Sequence, residues 1–171
     1  MQELTSLIRD IPDFPKPGII FRDITPLLKQ PLTFQKAIDL MANPFKDEHI
    51  DYVLAIEARG YLLGTPIALA LGAGFVPARK VGKLPYRTYR STYELEYGSA
   101  EIEIHQDAFT KDQRILLVDD VLATGGTLEA AIDLVQQSGS TVAGISVLIE
   151  LTALRGRSRL GNVPLSTLIQ Y

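Results

Sequence analysis

The segment ILLVDDVLATGGT, residues 115–127, combines residue types that can hold a phosphorylated ligand. An apolar run, Ile115–Val118, leads into two adjacent acids, Asp119 and Asp120, and then into Ala123, Thr124, Gly125, Gly126 and Thr127. Small residues between a buried strand and a helix let backbone N–H groups approach an anion, and the helix dipole adds to the attraction. Thr124 and Thr127 add hydroxyl donors. The two carboxylates would repel a phosphate, so they must face something else. Sugar hydroxyls, or a metal ion bridging ligand oxygens, are the natural partners. The plainer alternative is a Gly-rich turn with an ordinary Asp helix cap. It leaves the order of paired acids, two Thr and two Gly unexplained. The spacing GxxxxGK[ST] is absent, and so is GxGxxG, which argues against the corresponding nucleotide sites.

Three other segments carry candidate chemistry. EARG, 57–60, follows an apolar stretch, and Arg59 beside Gly60 suits an anion pocket. Its alternative is a surface arginine paired with Glu57. RKVGKLP, 79–85, gathers Arg79, Lys80 and Lys83 within five residues, enough to hold a polyanion such as pyrophosphate, or simply a solvated basic loop. RTYRSTYELEYGSA, 87–100, is polar and rich in tyrosine. It reads as a mobile flap closing over a site, or as an exposed hairpin; the two are compatible. Sequence alone does not choose among the carboxylates Glu94, Glu96, Glu101 and Glu103. Near the N-terminus, Phe21 offers a stacking face for a flat base, or else packs beneath a cover. His49 and His105 complete no metal or triad pattern and are read as structural.

The elements that must position these residues follow an α/β pattern. Residues 3–10 predict a short amphipathic helix. IPDFPKPGIIFRDITPLL holds four prolines and predicts an extended cover without regular structure. Helical spacing recurs over 31–45 and from about 61 to 71, and a third helix is expected from Gly125 to about Ser138. Strands are expected at 52–56, 75–79, 101–105, 114–118 and 141–149, with an edge strand in the tail 163–171. Strands alternating with helices imply a mostly parallel sheet flanked by helices. Ligands in such sheets sit beyond the carboxyl ends of the strands, where 57–60 and 119–127 fall.

Bulk properties narrow the function classes. A chain of 171 residues, 46% hydrophobic and 22% charged, suits one globular domain. A net charge of −3 gives no bulk attraction for nucleic acid. The absence of cysteine excludes disulfides, thiolate metal sites and cysteine nucleophiles. The N-terminus lacks the apolar core of a signal peptide, and no apolar run approaches the roughly 20 residues that span a bilayer. These features predict a cytoplasmic protein without membrane contact.

An apolar strand, two acids and a short Thr/Gly loop together resemble the signature of the type I phosphoribosyltransferases. FPKPGIIFRDITPLL, AIEARGYLLGTPIA, VPARKVGKLP and YELEYGSAEIEI resemble the adenine-using branch of that family, in the same order and spacing. The resemblance implies one domain over 1–171, with a small N-terminal hood at about 1–30 and a flexible flap at about 82–100. It implies transfer of a phosphoribosyl group from phosphoribosyl pyrophosphate to adenine, giving AMP and pyrophosphate, with Mg²⁺ bound mainly through substrate oxygens. By resemblance, Asp119 and Asp120 contact the ribose hydroxyls and residues 123–127 wrap the 5-phosphate. Arg59, Lys80 and Lys83 hold pyrophosphate. Phe21 stacks on the base, the backbone at Ile20 and Arg22 reads its edge, and Leu151 closes the other face, although a buried core leucine is an equal alternative there. Glu96 would be the acid-base group near the purine N7/N9 edge, with Tyr97 beside it, while Glu94, Glu101 and Glu103 would be solvated. A cis peptide is implied at Glu57–Ala58, and a homodimer for the assembly. Two other readings share the phosphate loop: transfer to hypoxanthine, guanine or xanthine, and a non-catalytic ligand-sensing module.

Overall fold

Ile115, Leu116, Leu117 and Val118 are all fully buried, which a strand achieves only when both faces of its sheet are covered. The computed structural model describes residues 2–94 and 99–171. The first half of the chain forms α1 (Gln2–Ser6), β1 (Arg9–Pro12), β2 (Ile20–Asp23), α2 (Thr25–Leu28), α3 (Pro31–Ala42), β3 (Tyr52–Ile56), α4 (Arg59–Leu71) and β4 (Gly74–Lys80). The second half forms β5 (Thr88–Glu94), β6 (Ser99–His105), β7 (Arg114–Leu122), α5 (Gly126–Gln137), β8 (Thr141–Glu150) and β9 (Leu165–Gln170). Short 3-10 turns occupy Asn43–Phe45, Thr152–Leu154 and Gly156–Arg159.

Seven strands form one sheet in the order β5-β6-β4-β3-β7-β8-β9. The run from β4 to β9 is parallel throughout. The β5–β6 hairpin joins it antiparallel through β4. Alternation along the central strands sorts the core into two halves. Val53, Ala55, Leu116 and Val118 face α3 and α4, while Leu54, Ile56, Ile115 and Leu117 face α5. Glycine lets α4 lie close to the sheet: a Cβ on Gly64 would come within 2.5 Å of the Ala55 Cβ. The helix ends at Gly72, whose φ of +66° suits the left-handed cap.

Several boundaries differ from the sequence expectations, for identifiable reasons. The N-terminal helix stops at Ser6, because Arg9–Pro12 pairs antiparallel with Ile20–Asp23 and the Arg9 Nε donates to Asp23 at 3.0 Å. The proline-rich cover is therefore a two-stranded ribbon and not an irregular stretch. Pro15 and Pro17 fall in the connection between the strands, where no ladder N–H is needed. α4 begins at Arg59, two residues early, and β7 continues to Leu122. That continuation decides where the site forms. β3 stays paired with β7 only as far as Val118, whereas β8 remains paired to Leu122. Asp119 and Asp120 thus sit where β7 outruns its neighbour and a crevice opens.

Candidate active site

The crevice is a cleft of about 420 Å³ at the carboxyl ends of β3, β4 and β7. The loop from β7 into α5 forms its floor. Gly125 has φ +87°, and a Cβ there would lie 2.4 Å from the Gly156 carbonyl oxygen, so both backbone conformation and space require glycine. Among the described residues no side chain caps the start of α5, so its first amides face the anion site. Ala123 and Thr127 line the cleft itself. Thr124 and Gly125 line an adjoining recess of about 60 Å³ that shares Asp119, Ala123 and Thr127 with it. Gly126 is buried in the first turn of the helix.

The acid pair is almost withdrawn from water, with Asp119 9% and Asp120 5% exposed. Asp119 accepts the Asp120 N–H at 2.8 Å. Burial, reinforced by the neighbouring Asp120 charge, pushes the Asp119 carboxyl well above its ordinary range. Asp120 pairs with the Arg59 Nε. The Arg59 guanidinium also lies 4.8 Å from the Phe21 ring centroid, so one side chain spans the cleft from the acids to the aromatic wall.

Glu57 and Arg59 do not pair with each other in this structure. Glu57 takes Arg79 in a two-pronged contact, at 3.0 Å and 3.3 Å, and accepts the Lys80 N–H at 3.1 Å. The Arg79 contact holds the Glu57 carboxyl below its usual range. The Glu57–Ala58 peptide is cis, as the resemblance implied. The three cations of 79–83 therefore have different situations. Arg79 is committed to Glu57 and to the Lys83 carbonyl oxygen at 3.3 Å. Lys80 lines the cleft, and Lys83 is exposed beyond its lining.

The opposite wall carries Ile20, Phe21, Arg22 and Leu151 together. Phe21 is braced edge-on by Phe14 at 5.2 Å. The Arg22 guanidinium is turned away, 3.7 Å over the Tyr171 ring and paired with Asp10. Leu151 is partly exposed at the end of β8, where its N–H donates to the Leu122 carbonyl at 2.9 Å. Glu96 and Tyr97 lie outside the described residues. Sequence reasoning missed Tyr93, Val121 and Ile19, which also line the cleft. Tyr93 had a weak signal as an aromatic on the hairpin, and Val121 one as the residue following the acids. Glu103, expected to be solvated, is 1% exposed.

Among the described residues no group of three or more His, Asp or Glu side chains could hold a metal ion. The cleft offers the Asp119–Asp120 pair, one member of which already faces Arg59. Such a donor set suits Mg²⁺ carried mainly by ligand oxygens, since this ion commonly takes one or two carboxylates together with substrate phosphates.

Comparison with known proteins gives the family. The model of the phosphoribosyl transferase domain matches residues 23–165. The chain is 55% identical over 168 residues to the adenine phosphoribosyltransferase of Halothermothrix orenii, covering 98% of this chain and 99% of that protein. The crystal structure of the Rhodothermus marinus adenine phosphoribosyltransferase matches with a TM-score of 0.96 and 50% identity, over 99% of this chain and 97% of that one. The Saccharomyces cerevisiae enzyme, solved with an imino-altritol bisphosphate and adenine, matches with a TM-score of 0.93 and 43% identity, over 98% and 97%. The chain belongs to the phosphoribosyl transferase domain family, among its adenine phosphoribosyltransferases.

Proposed function

We propose that this protein transfers the 5-phosphoribosyl group of phosphoribosyl pyrophosphate to adenine, releasing AMP and pyrophosphate in a purine-salvage step. One observation carries the reading. An anion-binding helix start, a buried acid pair, Arg59 with Lys80, and the Phe21 wall all open into a single cleft. These are the partners required by a 5-phosphate, a ribose, a pyrophosphate and a flat base.

In this reading the amides and hydroxyls of 123–127 grip the 5-phosphate, and Asp119 and Asp120 accept the ribose hydroxyls. An incoming pyrophosphate competes for Arg59, which frees Asp120 for the ribose and the Phe21 face for the base. The base lies between Phe21 and Leu151, with its edge toward the backbone of Ile20 and Arg22. The bond from the anomeric carbon to pyrophosphate breaks as the ribose gains oxocarbenium character. Adenine N9 forms the new bond with inversion, and the electron pair of the broken bond leaves with pyrophosphate. Arg59, Lys80 and Lys83 stabilise that leaving charge. Mg²⁺, when bound to substrate oxygens, neutralises further charge there. Glu96 takes the acid-base role at the purine edge, and Tyr97 flanks it; both assignments rest on family position. Residues 1–171 act as one unit, with residues about 1–30, which include the β1–β2 ribbon, as its hood and the segment around 82–100 as a flap excluding water.

A homodimer and a cytoplasmic location belong to the same proposal. Leu62 and Leu69 on α4 are 49% and 79% exposed, which supports a partner over that helix; light scattering tests the dimer and cell fractionation the location. The function is tested by AMP formation from adenine, phosphoribosyl pyrophosphate and Mg²⁺, with hypoxanthine and guanine as controls. Preference for either control base, or no nucleotide product at all, overturns the adenine reading.

A further inference from the structure

We propose that Glu103 is a positioning residue for the pyrophosphate end of the site, holding the 80–84 loop in register with the β5–β6 hairpin. Glu103 stands on β6, opposite Arg79 on β4 and Arg90 on β5. One carboxylate oxygen accepts the Gly82 N–H at 2.9 Å and the Leu84 N–H at 3.3 Å. The other accepts the Thr88 hydroxyl at 3.0 Å and lies 3.3 Å from the Arg90 Nε. Both amides flanking Lys83 are thus drawn onto one buried anion, and the Lys83 carbonyl is held from the other side by Arg79. The Lys83 backbone is fixed although its side chain is exposed. Glu57 does the same for the Lys80 amide at 3.1 Å. A carboxylate at 1% exposure with its acceptor capacity so divided aims its bonds at a loop and is not itself among the residues lining the cleft.

The inference rests on the assignment of Lys80 and Lys83 to pyrophosphate. A residue that only supports folding would lower the melting temperature and leave the Michaelis constants alone. A residue that positions the loop should instead affect one substrate of each pair. In the Glu103→Gln variant the carboxylate becomes an amide whose NH2 group must face donors. We expect KM for pyrophosphate, in the reverse reaction with AMP, to rise about 10- to 100-fold, the scale of a misplaced binding group. KM for AMP and for adenine should stay within about twofold, because the 5-phosphate and base contacts lie on other elements. Glu103→Asp, which keeps the charge and shortens the reach, should show the same split, and serves if the Gln variant does not fold. In the wild-type protein the Gly82 amide should exchange slowly with deuterium despite its exposed position.

Unchanged constants in a variant of lower melting temperature overturn the proposal, and so do equal rises for all substrates or rapid Gly82 exchange. If the wild-type protein forms no AMP, the adenine reading fails separately. Glu103 is then judged by calorimetric titration with pyrophosphate and Mg²⁺, where the variants should bind at least about 10-fold more weakly and equal affinity overturns the proposal.

Discussion

Asp119 shows function and stability in opposition at a single residue. Its pKa is raised by burial and by Asp120, so folding favours its protonated form. Its contribution to stability is present below the ordinary value of 3.8 and is lost as pH rises through the raised value. Asn cannot ionise, and its amide oxygen can still accept the Asp120 N–H. Asp119→Asn should therefore raise the thermal midpoint at neutral pH by roughly 2–4 °C, the shift that about 1 kcal/mol gives in a chain of this size. It should also cut turnover at least about 100-fold, on the scale of a lost electrostatic group. Scanning fluorimetry and steady-state AMP formation check the two halves. A lower midpoint contradicts the electrostatic account, and a wild-type rate contradicts the ribose role. Glu96→Leu should lose at least about 100-fold in turnover as an acid-base group, read in the same AMP-formation assay. The candidate residues on β7 and its loop were legible because paired acids followed by Thr and Gly are an unusual local pattern. The partner choice of Arg59 was not legible. Glu57 lies two residues away in sequence, but its register opposite β4 gives it to Arg79, and Arg59 turns to Asp120 instead.

At the scale of elements, the β7–α5 loop and the Gly156 turn fit as one piece. A Cβ on Gly156 would come within 2.2 Å of the Ala123 carbonyl oxygen, and one on Gly125 would strike Gly156 in return. Gly125→Ala should thus cost about 1–3 kcal/mol from backbone strain alone. Its kinetic signature should be a higher KM for AMP with little change for pyrophosphate, the reverse of the Glu103 variants. A variant with both constants unchanged would detach the loop from the 5-phosphate. Apolar runs made the central strands readable, since four consecutive buried residues leave few alternatives to a covered sheet. The β1–β2 ribbon was hidden because its pairing joins residues 9–12 to 20–23 across prolines that looked incompatible with strands. Glu103 was hidden for a related reason. Alternation along β6 correctly separates the Glu101 and Glu103 face from Ile102 and Ile104, but sequence cannot show that the 80–84 loop folds over part of that polar face.

At the scale of the whole molecule, carboxylates tie the rim of the cleft to the scaffold. Asp23 holds the ribbon to α2, and Glu150 holds the end of β8 to Arg157 and to Gln170 on β9. Glu57 and Glu103 anchor the 80–84 loop. Hydrogen bonds from arginine hold Glu57 and Glu150 below the ordinary glutamate value of 4.5. For Glu103 and Asp23 burial pushes upward, but the combined hydrogen bonds outweigh it and both are lowered. Each lowered group gives stability that is fully present above its ordinary value, 4.5 for Glu and 3.8 for Asp, and is lost as pH falls through the folded value. Asp119 has the opposite sign and offsets only part of this loss. The thermal midpoint should accordingly change little from pH 8 to 6 and drop below about pH 4.5. Glu150→Gln should lower the neutral plateau and flatten the acid limb, because its pair with Arg157 no longer titrates. Asp119→Asn should raise the plateau and leave the four-carboxylate limb in place. Calorimetry from pH 3 to 8 on the three proteins separates these effects. A steep fall between pH 7 and 6, above the range in which these lowered carboxylates are protonated, would refute the carboxylate account.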